Sequence, residues 1–265
     1  TPAAQGHGER IREIFQCEQL LATRASAELL EAAATAISQR GAFVVALSGG
    51  SIPTLLSPAL LASAETAQFE RWHIFMADER YVAEADSNSN LGAWRQALLT
   101  QAGIPTEQIY GIDMTLPLAA ASRAYQDALC CVLARFTPAA TAGSATVPRL
   151  DAIVLGMGPD GHTASLFPSH DLLQENECWV AAISNSPKPP ACRVTLTMPT
   201  LTSARLALFI VTGASKAAAV ANAFSAEPAV PAGHVLASQR TLWCLDASAA
   251  VELVQAEQKS AQLYS

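Results

Sequence analysis

In the stretch Leu155-Gly-Met-Gly-Pro-Asp-Gly-His-Thr-Ala-Ser-Leu-Phe-Pro168, Asp160 and His162 flank Gly161. Glycine permits backbone angles closed to other residues, so one turn can bring a carboxylate and an imidazole together. An imidazole titrates near neutrality and can act as a general base, and an adjoining carboxylate fixes its tautomer and raises its basicity. A loop histidine bonded to a carbonyl is the plainer reading, and spacing alone leaves both open. Ser48-Gly49-Gly50-Ser51 is an ordinary strand-to-helix turn or an anion cradle, in which bare backbone N–H groups and a helix N-terminus face a phosphate. Arg80, in Asp78-Glu79-Arg80, belongs to a solvated charge cluster or faces a crevice at a strand end. Arg193 and Lys216 each read singly as surface cations. Together with the glycine turn they supply the positive charge that holds a phosphate in an otherwise acidic protein.

These residues need a scaffold that delivers them to one place. Leu30, Ala33, Ala34 and Ile37 recur at helical spacing within 18–39, and Gly41 follows as a stop. Apolar runs of strand type lie at 43–47, 72–77, 153–155, 179–183, 193–198, 206–211 and 241–245, with a short one at 109–112. Helices are expected from Ile52, with Pro53 in the first turn, and at 91–102, 119–136, 215–224 and 247–257. Thr163-Ala164-Ser165-Leu166 is expected to open another. Asp86–Asn90 reads as a polar loop, 185–190 as a Pro-rich turn, and Thr137–Pro148 as a surface loop rather than a linker. Strands and helices alternate almost throughout, which implies parallel pairing with right-handed crossovers. The expected fold is α/β, a single doubly wound, mostly parallel sheet with helices on both faces, Rossmann-like, with residues 1–265 as one domain. Ligands bind such sheets beyond the carboxyl ends of the strands, where the turns after 47, 77 and 155 fall.

With 265 residues and 51 % hydrophobic content, the chain can bury a sizeable core. Its formal net charge of −7, without clustered Lys and Arg, argues against nucleic acid as a partner. No apolar run approaches the roughly 18 residues of a membrane span, so no membrane partner is expected. The six cysteines are scattered, with no CxxC pair and no His at zinc-finger spacing, and read as reduced thiols. No charged-then-apolar leader opens the sequence, and the expectation is cytoplasmic, with organelle targeting left open. The glycine turn is neither GxGxxG nor GxxxxGK[ST], so no dinucleotide or ATP site follows. Asp78, Asp160 and His162 have no recognised metal spacing, and no metal is expected.

Taken together, the motifs resemble the 6-phosphogluconolactonases, which share a superfamily with the glucosamine-6-phosphate isomerase/deaminases. The matching stretches are Leu47–Ser51, Phe75–Tyr81 with Ser87–Leu91, Leu155–Pro168, Arg193-Val-Thr-Leu-Thr-Met-Pro199 and Gly213-Ala-Ser-Lys216. The resemblance implies hydrolysis of 6-phospho-D-glucono-1,5-lactone to 6-phosphogluconate in the oxidative branch of the pentose phosphate pathway. It implies no cofactor and no obligate protein partner. Carried over, His162 is the base that activates water and Asp160 its neighbour. Gly49, Gly50 and Ser51 form the substrate-binding turn, Arg193 and Lys216 bind the 6-phosphate, and Arg80 lies near the lactone carbonyl. The sister deaminases continue the Asp-Gly-His motif with Ile-Ala-Phe-Asn-Glu-Pro. Here Phe167 stands where that Glu would be, and a phenyl ring transfers no proton. The other alternative is a catalytically silent sugar-phosphate-binding module.

Overall fold

Phe43–Leu47 carries no polar side chain, and all five residues are buried. A strand covered on both faces belongs inside a sheet with layers on each side. The computed structural model describes residues 8–136 and 149–263. Its elements run β1 (Glu9–Phe15), α1 (Glu18–Arg40), β2 (Phe43–Leu47), α2 (Ile52–Leu61), α3 (Ala64–Ala67), β3 (Trp72–Met76), β4 (Asp78–Arg80), α4 (Asn90–Trp94) and α5 (Leu118–Phe136). They continue with β5 (Ala152–Leu155), β6 (Val180–Ile183), β7 (Arg193–Leu196), α6 (Met198–Ser203), β8 (Leu206–Val211), α7 (Ala217–Ala223), β9 (Arg240–Asp246) and α8 (Val251–Leu263).

A 6-stranded parallel sheet has the order β1-β9-β8-β5-β2-β3. Successive side chains of a strand point to opposite faces, which splits β2 between two cores. Phe43, Val45 and Leu47 pack with Leu21 and Leu29 of α1 and Leu56 of α2, while Val44 and Ala46 pack with Leu129 of α5 and Val220 of α7. The expected doubly wound sheet with helices on both faces is therefore what forms. Gly41 ends α1 as expected, in the left-handed region at φ 81°, with its N–H bonded to Ile37 O at 2.8 Å.

Several local expectations are corrected. The strands expected at 179–183 and 193–198 form as β6 and β7, but they pair antiparallel with each other, and β7 pairs antiparallel with β4, in a separate 3-stranded sheet. The segment 184–192 joining them is a short turn, and a parallel pair would need a crossover of a dozen or more residues. The Asp78-Glu79-Arg80 cluster is a strand, with Asp78 and Glu79 buried rather than solvated. The run 109–112 contributes only a single bridge from Ile109 to Ile74. The helix expected at 91–102 is α4 followed by a π-helical segment, Arg95–Leu99. Strand β1, which apolar patterning does not reveal, joins the sheet through β9. The loop expected at 137–148 lies outside the described residues.

Strand β3 is an edge, and its open backbone groups need partners. Tyr110 N–H donates to Ile74 O at 2.9 Å, and the buried Tyr125 hydroxyl of α5 accepts from Met76 N–H at 2.6 Å and donates to Met76 O at 3.1 Å. Among the described residues no helix is long and apolar enough to cross a membrane. Tyr125→Phe strands both Met76 groups in the core and should cost about 1–3 kcal/mol. A lower urea midpoint at unchanged slope would show this, and an unchanged midpoint would refute it.

Candidate active site

The chain leaves β2 for β3 on one side and returns with β5 on the other, so the loops after β2 and β5 part at the carboxyl edge. Ligands bind open α/β sheets at such a reversal. A cavity of about 230 Å³ opens there, lined by Ser48–Ile52 after β2, Asp78 and Arg80 on β4, Gly158 and His162 after β5, Arg193 on β7 and Lys216 after β8. The fold thus gathers Gly49, Gly50, Ser51, Arg80, His162, Arg193 and Lys216 around one space. Asp160 sits beside His162 at its rim.

The residues after the glycine loop do not form the expected helix. Thr163 Oγ1 donates to Gly156 O at 2.8 Å, Ser165 N–H to Thr195 Oγ1 at 3.1 Å and Ser165 Oγ to Asp78 Oδ2 at 2.7 Å. These bonds compete with helical ones, and Ala164 is driven to φ 47°. Gly158 is required for close approach: a Cβ there would lie 2.1 Å from His162 Cε1 and 2.6 Å from Asp160 Oδ1. The imidazole rests against buried Phe167, ring centroids 4.6 Å apart.

Asp160 Oδ1 lies 2.6 Å from His162 Nδ1 and 3.0 Å from Lys188 Nζ. Burial acts to raise the Asp160 carboxyl, but hydrogen bonds and charge from His162 and Lys188 overcome it and bring the pKa down to about 2. Burial pushes the His162 imidazole below its ordinary value and Lys188 adds to this, while Asp160 opposes. The imidazole is therefore neutral at neutral pH. An ionised carboxylate only accepts, so the 2.6 Å contact assigns the proton to Nδ1 and leaves Nε2 with the lone pair of a base. Lys188 Nζ, 3.3 Å from Nδ1, then serves Asp160 rather than the ring.

On the opposite wall, the turn Ser48–Ser51 leads into α2. Among the described residues the N–H groups of Gly49, Gly50, Ser51 and Ile52 meet no acceptor, which leaves an array of donors at a helix N-terminus. Gly49 abuts Asn90, whose Oδ1 would lie 1.8 Å from a Cβ at that position. Asn90 Nδ2 donates to Asp78 O at 2.7 Å, and its N–H donates to Glu79 Oε1 at 2.8 Å. Burial raises the Glu79 carboxyl above its ordinary value, against the lowering effect of backbone N–H donors from Leu91, Asn90 and Arg80. That carboxylate ties β4 to α4 and so sets Arg80 and Asn90 at the cavity wall.

The cations differ in freedom. Arg193 is 3 % exposed, and its guanidinium donates to the carbonyls of Pro190, Lys188 and Pro189 and to Ser165 Oγ, which occupies most of its N–H groups. Arg80 Nη1 donates to Asn88 O at 2.7 Å, while its buried Nε has no partner. The Lys216 ammonium makes no hydrogen bond among the described residues, and burial lowers its pKa. Sequence reasoning missed Lys188, hidden in a Pro-rich turn, and did not single out Ser48 within its glycine turn, a residue of the cavity wall whose buried Oγ has no hydrogen-bond partner. Among the described residues no three His, Cys, Asp or Glu side chains gather as metal ligands.

Residues 16–243 match the family described as glucosamine-6-phosphate isomerases/6-phosphogluconolactonase, and the chain belongs to that family. It is 42 % identical over 243 residues to the 6-phosphogluconolactonase of Rattus norvegicus, covering 89 % of this chain and 91 % of the rat protein. It is 41 % identical over 217 residues to the probable 6-phosphogluconolactonase 3, chloroplastic, of Oryza sativa subsp. indica. That match covers 80 % of this chain but only 65 % of the rice protein's length. The crystal structure of 6-phosphogluconolactonase from Leishmania guyanensis superposes with a TM-score of 0.76 at 27 % identity, covering 91 % of this chain and 97 % of that one.

Because Asp160 raises the His162 pKa and Lys188 lowers it, their substitutions should move it in opposite directions. Nitrogen-15 NMR titration should find the His162 midpoint below 6.5 in the wild type, lower still in Asp160→Asn and higher in Lys188→Gln. Shifts in one common direction would contradict the assigned pairing.

Proposed function

We propose that the chain hydrolyses 6-phospho-D-glucono-1,5-lactone to 6-phosphogluconate, the lactone step of the oxidative pentose phosphate branch. The observation that carries this is His162 Nδ1 held 2.6 Å from Asp160 Oδ1 in a cavity that also presents, among the described residues, an ammonium and an array of backbone amides without hydrogen-bond partners. Water attacking the lactone carbonyl must lose a proton, and His162 Nε2 accepts it. The oxyanion that develops at C1 takes Arg80 as its positive partner. Collapse of the tetrahedral intermediate breaks the bond between C1 and the ring oxygen, and the proton on His162 passes to that leaving oxygen. No protein nucleophile is required.

The amides of Gly49, Gly50 and Ser51, with Lys216, hold the 6-phosphate, and the remaining donor capacity of Arg193 adds to that charge. Anchoring at the phosphate places C1 against His162 and converts binding energy into orientation. Deamination is disfavoured, since buried Phe167 occupies the position where the sister enzymes keep a Glu. The same reading places the protein in a reducing compartment, the cytoplasm or an organelle, where its six free cysteines persist.

Loss of fresh lactone should exceed the spontaneous rate in the presence of the wild-type protein. His162→Ala should lower kcat by ~10²-fold or more at unchanged thermal stability. Lys216→Met should act first on KM, since it removes binding shared by substrate and transition state. A wild-type protein that does not accelerate lactone loss overturns the proposal in favour of a binding module, and ammonia release from glucosamine 6-phosphate would establish the deaminase instead.

A further inference from the structure

The cavity's one cation without a hydrogen bond among the described residues stands at the junction of a short 3-10 turn and α7. Lys216 ends the short turn 214–216 that follows β8, and nothing bonded to its ammonium holds it in place. Its position is inherited from the backbone of that turn, and the turn is gripped from outside. Asp246, the last residue of β9, accepts Gly213 N–H on both carboxylate oxygens, at 3.1 Å each. The same oxygens accept Ala249 N–H at 2.7 Å and Ser248 Oγ–H at 2.8 Å, so the carboxylate is itself fixed. Gly213 has φ 98° and ψ 138°, a conformation essentially confined to glycine, and its O accepts Lys216 N–H at 3.1 Å to close the turn.

We propose that Asp246 is a positioning residue, which clamps the Gly213 turn so that the Lys216 ammonium projects into the cavity and sets the preference for a phosphorylated lactone. This rests on the assignment of Lys216 to the 6-phosphate. Asp246 does not line the cavity and forms no ion pair within 4.0 Å of Lys216, so the ammonium stays available to a ligand. It acts through the backbone and, at longer range, through charge. Burial lowers the Lys216 ammonium and Lys188 adds to that lowering, while the Asp246 carboxylate opposes both.

The test compares 6-phosphogluconolactone with unphosphorylated gluconolactone as substrates of the wild type, Asp246→Ala, Lys216→Met and the double variant. Removing a charge-assisted hydrogen bond should cut the phosphate preference of Lys216→Met by roughly 10-fold or more. Asp246→Ala should lose roughly 5-fold or more of that preference, through a higher KM for the phosphorylated lactone at nearly unchanged kcat, and leave the unphosphorylated lactone unaffected. The double variant should lose no more than Lys216→Met alone, because both changes remove one interaction. Equal losses on both lactones, or an unchanged preference in Asp246→Ala while Lys216→Met loses it, overturn the positioning role only. A preference that survives Lys216→Met overturns the phosphate assignment beneath it. Should Asp246→Ala fail to fold, Asp246→Asn is judged by the same ratio, with competition by inorganic phosphate as the second measure: weaker competition supports the clamp and unchanged competition refutes it.

Discussion

The parallel pairing of β2 with β5 is the constraint on which the site depends. Val45, Ala46 and Leu47 pair with Ala152, Ile153 and Val154, and Ser48 N–H extends the ladder to Val154 O at 2.9 Å. Because β3 leaves on one side of this pair and β8 lies on the other, the chains emerging from β2 and β5 turn away from each other. The space between them cannot be filled by either loop, and it becomes the cavity. A register slip of one residue would reverse every side chain of β2 between the two cores, so burial on both faces holds the crevice open at fixed width.

Around that crevice an acidic protein assembles a largely cationic wall. Arg80, Lys188, Arg193 and Lys216 converge there from four segments, opposed by Asp78 and Asp160. Burial depresses the pKa of His162, Arg193 and Lys216 alike, since each charged form loses solvation. The Asp160 pKa is lowered too, but against its own burial and toward the charged form, because the hydrogen bonds it accepts from His162 and Lys188 outweigh desolvation. Environment thus separates a neutral base from an ionised carboxylate within one turn, and leaves an anion-sized field facing the glycine turn of Ser48–Ser51.

Much of this was legible in the sequence because the signals are local. Apolar runs such as Phe43–Leu47 announce buried strands, Gly41 announces a helix end, and Asp160-Gly161-His162 places its own partners two residues apart. The motif order also carried the family resemblance and the exclusion drawn from Phe167. The errors are of one kind. Thr163–Leu166 looked like a helix start because its competing bonds run to Gly156, Asp78 and Thr195, and the last two lie far away in the chain. Strands β6 and β7 looked like members of the main sheet because an apolar run does not state the direction of its neighbour.

By itself, then, the sequence determined the alternating α/β scaffold, the turns that need glycine and the residue types able to move a proton or hold an anion. Tertiary structure alone decided which of those residues meet. It brought Lys188 to Asp160, left Ser48 Oγ buried without a partner, consumed most of the Arg193 donors on backbone carbonyls and set Asp246 beneath the turn that carries Lys216. The physical reason is that periodicity reports which face of an element is buried, whereas a hydrogen bond between distant residues leaves no periodic trace in either one.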